Sequence, residues 1–333
     1  MTEQIAVLGG GSWGTALAVL LAGRGHDVLL WGRHPEQMAE CEARRENQKY
    51  LPGALFPPLL HATADLAAAL KGRSNIVSVV PSQSTRAIWK EAVPFVAKGA
   101  LIVSASKGIE NGTLSTMDEV LQEVAPPNSD LAYLSGPSFA REVGQSLPTA
   151  VVMASKDHAV AERASELFRA ERFRVYTSDD VVGVELGGAL KNVMAIAAGM
   201  VDGMGLGHNS RAALITRGLA EIARLAVKRG ANPLTLAGLA GLGDLILTCT
   251  GDQSRNRTVG FELGRGRTID EILAGMSQIA EGVKTTESAH QLAQKLDVDM
   301  PITRTVYRVL FDKLTLMEAI GELMGRVPRA ERD

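Results

Sequence analysis

Cysteine is nearly missing from this sequence. Cys41 and Cys249 are the two in 333 residues, far apart and without a CxxC spacing. A disulfide framework or a thiolate zinc site is therefore not expected. An excess of one charge is missing as well: 35 lysines and arginines face 37 aspartates and glutamates, a formal net charge of -2. That balance argues against a broad nucleic-acid surface and leaves room for a local basic pocket that takes a small anion. No uncharged apolar run reaches ~20 residues, so a membrane-spanning helix is not expected. The start, MTEQIAVLGG, lacks a basic segment followed by a long apolar one. No signal peptide is expected, and the cytoplasm is the expected compartment. The six histidines form no close cluster of metal-ligand spacing, so no metal is expected. His208, in GLGHNSR, is the one to weigh as an acid or base, and it reads as structural. The G-x-S-x-G elbow of a serine hydrolase is also absent.

What is present, 46% hydrophobic and 22% charged residues, suits a globular chain of one large or two medium domains. The first half alternates strands and helices. QIAVLGG reads as a short strand ending in glycines, TALAVLLAGRG as a helix closed by Gly23 and Gly25, and DVLLWGR as a second strand. NIVSVV, ALIVSA, LAYLSG, TAVVMAS and RFRVYTS read as further buried strands. Helices are expected over Ser84–Val96, Thr113–Val124 and Asp157–Phe168. Such alternation implies an α/β fold, a Rossmann-like doubly wound sheet with helices on both faces, mainly parallel but with room for the later strands to depart from that order.

After about Asp180 the apolar spacing turns helical. SRAALITRGLAEIARLAVKRG is an amphipathic helix ending at Gly230. TIDEILAG and TTESAHQLAQKLDV read as further helices, each with a threonine near its start as a cap. The expected division is a dinucleotide-binding domain over residues 1–182 and an all-α substrate-binding and catalytic domain over 183–333, with a frayed polar tail.

GGGSWG follows the first strand and opens the first helix, so Gly9, Gly11 and Gly14 supply G-x-G-x-x-G. The first glycine permits a tight turn, the second lets backbone approach a pyrophosphate, and the third permits close helix packing. The helix start then offers free N–H groups to the anion. The duller alternative is a glycine-rich turn that serves compact packing alone. An acidic residue at the end of the second strand would bond the adenosine ribose of NAD. Here Arg33 and His34 stand at that place. An arginine meets a 2′-phosphate with several planar donors, which favours NADP(H), with NAD(H) also used. Arg33 as a solvated loop charge is the alternative. Trp13 reads equally as a cover for the cofactor or as a packing residue.

A second set of residues carries polar chemistry. Lys107, in SASKGIENG, follows an apolar strand, where ligands of open α/β sheets bind. Gly136 and Ser138, in LSGPSFARE, offer a close backbone and a hydroxyl, or simply a turn and a helix cap. Lys191 sits inside the apolar helix ELGGALKNVMAIAAG, and a lysine is rarely buried without a partner. Gly187, Gly188, Ala195 and Ala198 share its face. They leave room for a flat ring or small ligand, or let another helix cross closely. Asn192 is adjacent but points about 100° away around the helix. GLGDLILTCTGDQSRNR carries Asp244, which can orient a hydroxyl or a lysine, then Ser254, Arg255, Asn256 and Arg257. Arg255 and Asn256 can donate to a phosphate. Glycines on both sides of Leu242 mark backbone that turns or is closely approached. IAEGVKTTE adds Ile279 and Glu281 before a helix, the acid reading either as an acceptor for a ribose or amide or as an ordinary helix-leading charge.

These blocks, in this order, resemble the bacterial soluble glycerol-3-phosphate dehydrogenases that use NAD(P), over nearly the whole chain. The resemblance rests on GGGSWGTALA, SASKGIE, SGPSFAREV, ELGGALKNVMAIAAGMVDGMGLGHNSRAALITRG, GLAGLGDLILTCTGDQSRNR and AEGVKTTE. It implies reversible reduction of dihydroxyacetone phosphate to sn-glycerol 3-phosphate, EC 1.1.1.94, feeding phospholipid synthesis, and a homodimer. It makes Lys191 the catalytic lysine, and Lys107, Gly136, Ser138, Asp244, Ser254, Arg255 and Asn256 substrate contacts. It makes Ser12, Trp13, Arg33, Lys107, Ala140, Arg255, Ile279 and Glu281 cofactor contacts, with His34 and Tyr50 as weaker ones. Two departures stand out. GDQ precedes Ser254 where SPL-like segments are common, and Ile279 stands where valine is common.

The mechanism this implies is direct hydride transfer to the ketone carbon. Lys191, assisted by Lys107, would stabilise the developing oxyanion and donate a proton. A second cation and burial would lower the Lys191 pKa toward neutrality. Two rivals remain at this level: a β-hydroxyacid dehydrogenase, which would oxidise a hydroxy-carboxylate, and a non-catalytic NADPH-binding sensor.

Overall fold

A computed structural model describes residues 2–276, 280–327 and Ala330. The first half is a run of strand and helix pairs. It opens with β1 (Gln4–Leu8), α1 (Ser12–Gly23), β2 (Asp27–Trp31), α2 (Pro35–Arg44), β3 (Leu60–Thr63) and α3 (Leu66–Leu70). It continues with β4 (Asn75–Ser78), α4 (Thr85–Ala92), β5 (Leu101–Ser104) and α5 (Met117–Val124). It closes with β6 (Asp130–Ser135), α6 (Ala140–Gly144), β7 (Thr149–Ala154), α7 (His158–Phe168) and β8 (Phe173–Ser178).

The strands form one eight-stranded sheet in the order β3-β2-β1-β4-β5-β6-β7-β8. Pairing is parallel except between β6 and β7, where Tyr133 faces Ala154 in antiparallel register. The expected late departure from parallel order therefore occurs at one junction, and β7–β8 is parallel again. Strands buried on both faces read as unbroken apolar runs, and every residue of β5 is buried. β3 escaped the sequence reading because it is a four-residue edge strand, LHAT, with an exposed His61. Three helix starts or ends differ from expectation for local reasons. Pro94 converts the end of the Ser84–Val96 stretch into a 3-10 turn, Val93–Phe95. Thr116 makes a capping box with Glu119 and so starts α5 at Met117. Asp157 caps α7 instead of belonging to it, accepting from the Ala159 N–H.

The order of the sheet reverses around β1, whose neighbours are β2 and β4. A crevice opens at such a switch point beyond the strands' carboxyl ends. The glycine turn after β1, Val79–Pro81 after β4 and Lys107 after β5 all lie along it.

No strand follows Ser178 among the described residues. The helices are α8 (Val181–Gly203), α9 (Gly207–Lys228), α10 (Pro233–Leu236) and, after one π-helical turn (Leu239–Gly243), α11 (Asp244–Thr250). Then come α12 (Arg255–Gly264), α13 (Ile269–Ala274), α14 (Glu281–Lys295), α15 (Pro301–Phe311) and α16 (Leu316–Met324). Thr268 caps α13 as expected. Thr285 and Thr286 do not cap α14, which starts at Glu281 and leaves both buried in its interior.

α8 is the axis of this half. It is long enough to span a membrane and an 18-residue window of it has a mean hydropathy of 1.4, but 89% of that window is buried inside the protein. The stretch Pro233–Thr250 has the same mean hydropathy and is 39% buried, broken by the π turn. Neither stretch is an uncharged run, because Glu185 and Lys191 interrupt the first and Asp244 the second. The small residues of α8 have a packing cause. A Cβ on Gly199 would lie 2.0 Å from the Arg257 carbonyl oxygen, and one on Gly260 of α12 would lie 1.9 Å from that of Ile196. The two helices touch backbone to backbone. Gly187 is closed off by the Ala240 carbonyl at 2.7 Å and Gly188 by the Ser135 hydroxyl at 2.7 Å, while Ala195 and Ala198 are fully buried. The small-residue face beside Lys191 is thus filled by protein, not kept open for a ligand ring.

Candidate active site

A cleft of about 820 Å³ runs between the carboxyl edge of the sheet and the helices. One end is the glycine turn. Gly9 has φ +130°, and a Cβ there would lie 2.6 Å from the Val79 carbonyl oxygen; one on Gly14 would lie 1.8 Å from the Gly9 oxygen. Around Gly11 a Cβ would meet nothing within 4 Å. The first and third glycines are thus close-approach positions, and the second faces open space. Gln37 and Asn47 both donate to the Gly10 carbonyl at 3.0 Å, which fixes the turn. Gly11 is the N-cap of α1 and brings no side-chain acceptor to the first turn, the place where a helix start meets an anion. Trp13 lines the cleft with its Nε1 buried and unpartnered among the described residues. Open space over Gly11, amide donors and an orphaned indole N–H fit a dinucleotide.

Ser12, Arg33, His34, Tyr50 and Ala140 line the same region. The Ser12 hydroxyl donates to the Tyr50 carbonyl at 2.7 Å, and Arg33 Nε lies 3.3 Å from His34 Nε2. Glu281 also lines the cleft, where the Ser82 N–H donates to its carboxylate at 3.1 Å. Burial raises the Glu281 pKa, against the Ser82 N–H and the charges of Arg255, Lys107 and Lys191. Ile279 lies outside the described residues.

The other end of the cleft holds the lysines. Lys107 follows β5, Lys191 is in the middle of α8, and Asp244 is the first residue of α11. The Asp244 carboxylate is shared: Lys107 Nζ donates to Oδ2 at 2.7 Å and Lys191 Nζ donates to Oδ1. Side-chain exposure is 15% for Lys107, 9% for Lys191 and 1% for Asp244. The two ammonium groups therefore face the cleft while the acid sits behind them. Burial pushes the Lys191 pKa down to about 8; Asp244 pulls it up, and Lys107 pushes it further down. Burial alone would raise the Asp244 pKa, but the two lysines hold it below the usual carboxylate range.

Two residues expected at the substrate are absent from the cleft wall. Asp244 holds the lysines from behind, and Gly136, at φ +130°, turns its carbonyl to Lys107 Nζ at 3.3 Å and to the Ser138 hydroxyl at 2.9 Å. Ser138 itself lines the cleft.

Ser254, Arg255 and Asn256 form the third wall, at the start of α12. The Ser254 hydroxyl caps that helix by accepting from the Arg257 N–H at 3.2 Å. Arg255 reaches solvent through the open cleft. Desolvation by the walls lowers its pKa, and the Glu281 charge counteracts this. Asn256 is locked at both ends: its Oδ1 accepts from the Gly282 N–H and its Nδ2 donates to Asn192 Oδ1, each at 3.0 Å.

Asn192 and Thr248, missed in the sequence, also line the cleft. The Thr248 hydroxyl donates to the Asp244 carbonyl at 2.6 Å. Its signal was the spacing of four from Asp244, one helical turn. Asn192 lies about 100° around α8 from Lys191, but the cleft wraps far enough around the helix to meet both. His208 is exposed at the start of α9 and touches Arg211, away from the cleft. Cys41 and Cys249 are both free and buried, their thiols pushed up to about 11 and about 12 by burial. Among the described residues no cluster of three histidine, cysteine or carboxylate side chains could hold a metal ion.

Comparison with known proteins bears on this geometry. The pattern of the NAD-dependent glycerol-3-phosphate dehydrogenase N-terminus matches residues 4–161, and that of the C-terminus matches residues 180–321. A glycerol-3-phosphate dehydrogenase (NAD(P)+) of Citrifermentans bemidjiense is 57% identical over 333 residues, covering 99% of each chain. That of Geobacter metallireducens is 56% identical over 334 residues, covering 100% of each. The crystal structure of glycerol-3-phosphate dehydrogenase from Coxiella burnetii superposes with a TM-score of 0.94 at 44% identity, covering 98% of this chain and 99% of that one. With both halves of the pattern matched and the glycine turn and paired lysines in one cleft, the chain belongs to the NAD-dependent glycerol-3-phosphate dehydrogenase family.

Proposed function

We propose that the cleft is a dehydrogenase active site in which Lys191 carries the proton and the glycine turn carries the nicotinamide cofactor. The reaction is the reversible reduction of dihydroxyacetone phosphate to sn-glycerol 3-phosphate, and its product supplies glycerophospholipid synthesis. The observation that carries this reading is Lys191. A buried ammonium group with a pKa near 8 faces the same cleft as the start of α1.

The Gly9–Gly14 turn, Ser12, Trp13, Arg33, His34, Tyr50, Ala140 and Glu281 would hold the cofactor. Bound there, the cofactor would supply or take up the hydride at C2 of the substrate. In reduction, negative charge develops on the carbonyl oxygen; Lys191 Nζ stabilises it and gives up a proton, with Lys107 as a second cation. In oxidation, neutral Lys191 takes the hydroxyl proton. Asp244 acts through the two lysines, accepting from both and so holding their ammonium groups toward the cleft. Arg255 and Asn256, at the start of α12, take the substrate phosphate through charged and amide donors and the helix terminus.

The finer reading is that NADP(H) is preferred, supported by Arg33 and His34 beside each other at the end of β2. We read residues 1–182 as the cofactor domain and 183–333 as the substrate and catalytic domain. The absence of strands beyond Ser178 among the described residues supports that division. The first turn of α8 packs in the same core as the sheet through Val181 and Val184. The assembly we infer, on family resemblance, is a homodimer.

The test follows NADPH and NADH absorbance with dihydroxyacetone phosphate and, separately, with glyoxylate-type acids. Oxidation with the first substrate alone is expected. No oxidation with it would overturn the reading, and turnover with the acids alone would favour a hydroxyacid dehydrogenase.

A further inference from the structure

The segment Gly251–Ser254 joins α11 to α12 and delivers Ser254, Arg255 and Asn256 to the cleft. It is held from two sides. Within the helical half, Arg257 binds Asp252 Oδ1 at 3.0 Å and Asp202 Oδ2 at 3.0 Å. Across the cleft, Gln253 Nε2 donates to Glu142 Oε1 of α6 at 3.0 Å, linking positions 111 residues apart. Gly251 lies flat against Phe139, where a Cβ would come within 2.4 Å of the ring. α6 is fixed to the sheet half: its Val143 belongs to the core that contains Ala16, Leu17 and Leu51. Ala140, at the start of α6, lines the cofactor end of the cleft, and Gln253 lines the cleft as well.

The Gln253–Glu142 hydrogen bond therefore ties the proposed phosphate loop to the lip beside the proposed cofactor. We propose that Gln253 is a positioning residue. Through Glu142 it sets the distance between the Ser254-Arg255-Asn256 loop and α6, and so the affinity for the phosphate end of the substrate. This rests on the reading above that Arg255 and Asn256 take the substrate phosphate. Gln253 touches no reacting atom. Losing its contact weakens ground state and transition state alike, which raises KM and leaves kcat in place.

A charge swap tests this in the whole enzyme. Gln253→Glu sets two carboxylates against each other at the bond and drives the loop from α6. The expected result is a KM for dihydroxyacetone phosphate raised about tenfold at low ionic strength, with kcat within about twofold, and a smaller effect in salt because the exposed pair is screened. Glu142→Gln alone keeps an acceptor and leaves KM within about twofold. The double variant, Gln253→Glu with Glu142→Gln, restores a donor–acceptor pair and returns KM to within about twofold of the parent. An unchanged KM in Gln253→Glu, or a double variant no better than that single one, overturns the inference while leaving the dehydrogenase reading intact. Absence of turnover in the parent enzyme overturns both.

Discussion

Lys191 and Asp244 are ion-paired inside the protein although they lie 53 positions apart, and the same carboxylate holds Lys107 at 2.7 Å. One buried negative charge thus serves two positive ones. The trio carries a net positive charge when both lysines are protonated, and Lys191, at about 8, is the member that releases its proton near neutrality. In the reducing direction the enzyme needs Lys191 protonated, so kcat for ketone reduction is expected to fall as pH rises through about 8. In the oxidising direction it needs Lys191 neutral, so that rate rises through the same range. Asp244→Asn removes the charge that pulls the Lys191 pKa up. The limb of both profiles is then expected to move to lower pH by a unit or more, about 1.4 kcal/mol per unit. Stopped-flow or steady-state pH profiles of the two proteins check this.

Arg33 stands where an acidic residue would select NAD. Arg33→Ala is expected to raise KM for NADPH about tenfold and to leave KM for NADH within about twofold, because the lost donors serve a 2′-phosphate that NADH lacks. Equal losses for both cofactors would assign Arg33 to general packing of the lip.

The crossing of α8 and α12 makes a stability prediction. A Cβ at Gly260 would lie 1.9 Å from the backbone oxygen of Ile196, so the helices must separate to admit it. Gly260→Ala is expected to cost at least about 2 kcal/mol, as an overpacked core does. Gly23→Ala, where a Cβ meets nothing within 4 Å, is expected to be neutral or mildly stabilising. Thermal melts of the two variants compare them directly.

Glu221 is buried in α9 and accepts from the Ile302 N–H at 2.6 Å and from the Thr303 N–H at 3.1 Å, so it caps α15 from outside. Burial raises its pKa to about 7, against those two donors and the Thr303 hydroxyl. Between the ordinary glutamate value near 4.5 and about 7, the folded chain holds this proton more firmly than the unfolded one. Its contribution to stability is therefore complete below about 4.5 and declines as pH rises to 7, by about 3 kcal/mol in all. Glu221→Gln is expected to flatten that part of the stability–pH curve relative to the parent, measured by urea unfolding at pH 5 and pH 7. Parallel curves would show that Glu221 titrates normally.

The strands of the sheet were legible because a sheet covered on both faces writes apolar runs, and β3 was not because it is short and half exposed. The glycine turn was legible because its three glycines serve two needs that no side chain meets, close approach at Gly9 and Gly14 and open space at Gly11. Lys191 was legible as an anomaly, but its cause was not. The glycines beside it pack against Ala240 and Ser135, and its partner arrives from α11 after a π-helical turn that no periodicity announces. In that turn a Cβ on Gly241 would lie 2.1 Å from the Leu236 oxygen, so Gly241 is closely approached backbone, whereas one on Gly243 would meet nothing nearer than 3.6 Å. Gly136, expected at the substrate, lies off the cleft wall and gives its carbonyl to Lys107, a backbone contact that its place in the sequence does not announce. Asn192 and Thr248 were hidden because their places depend on how far the cleft wraps around α8 and α11, which is a property of packing.

The account stands on Lys191 as the proton carrier, and the most direct measurement is kcat for dihydroxyacetone phosphate reduction by Lys191→Ala at saturating cofactor and substrate. The account predicts a loss of about 10²- to 10⁴-fold with the fold and cofactor binding retained. A kcat within about tenfold of the parent would contradict it.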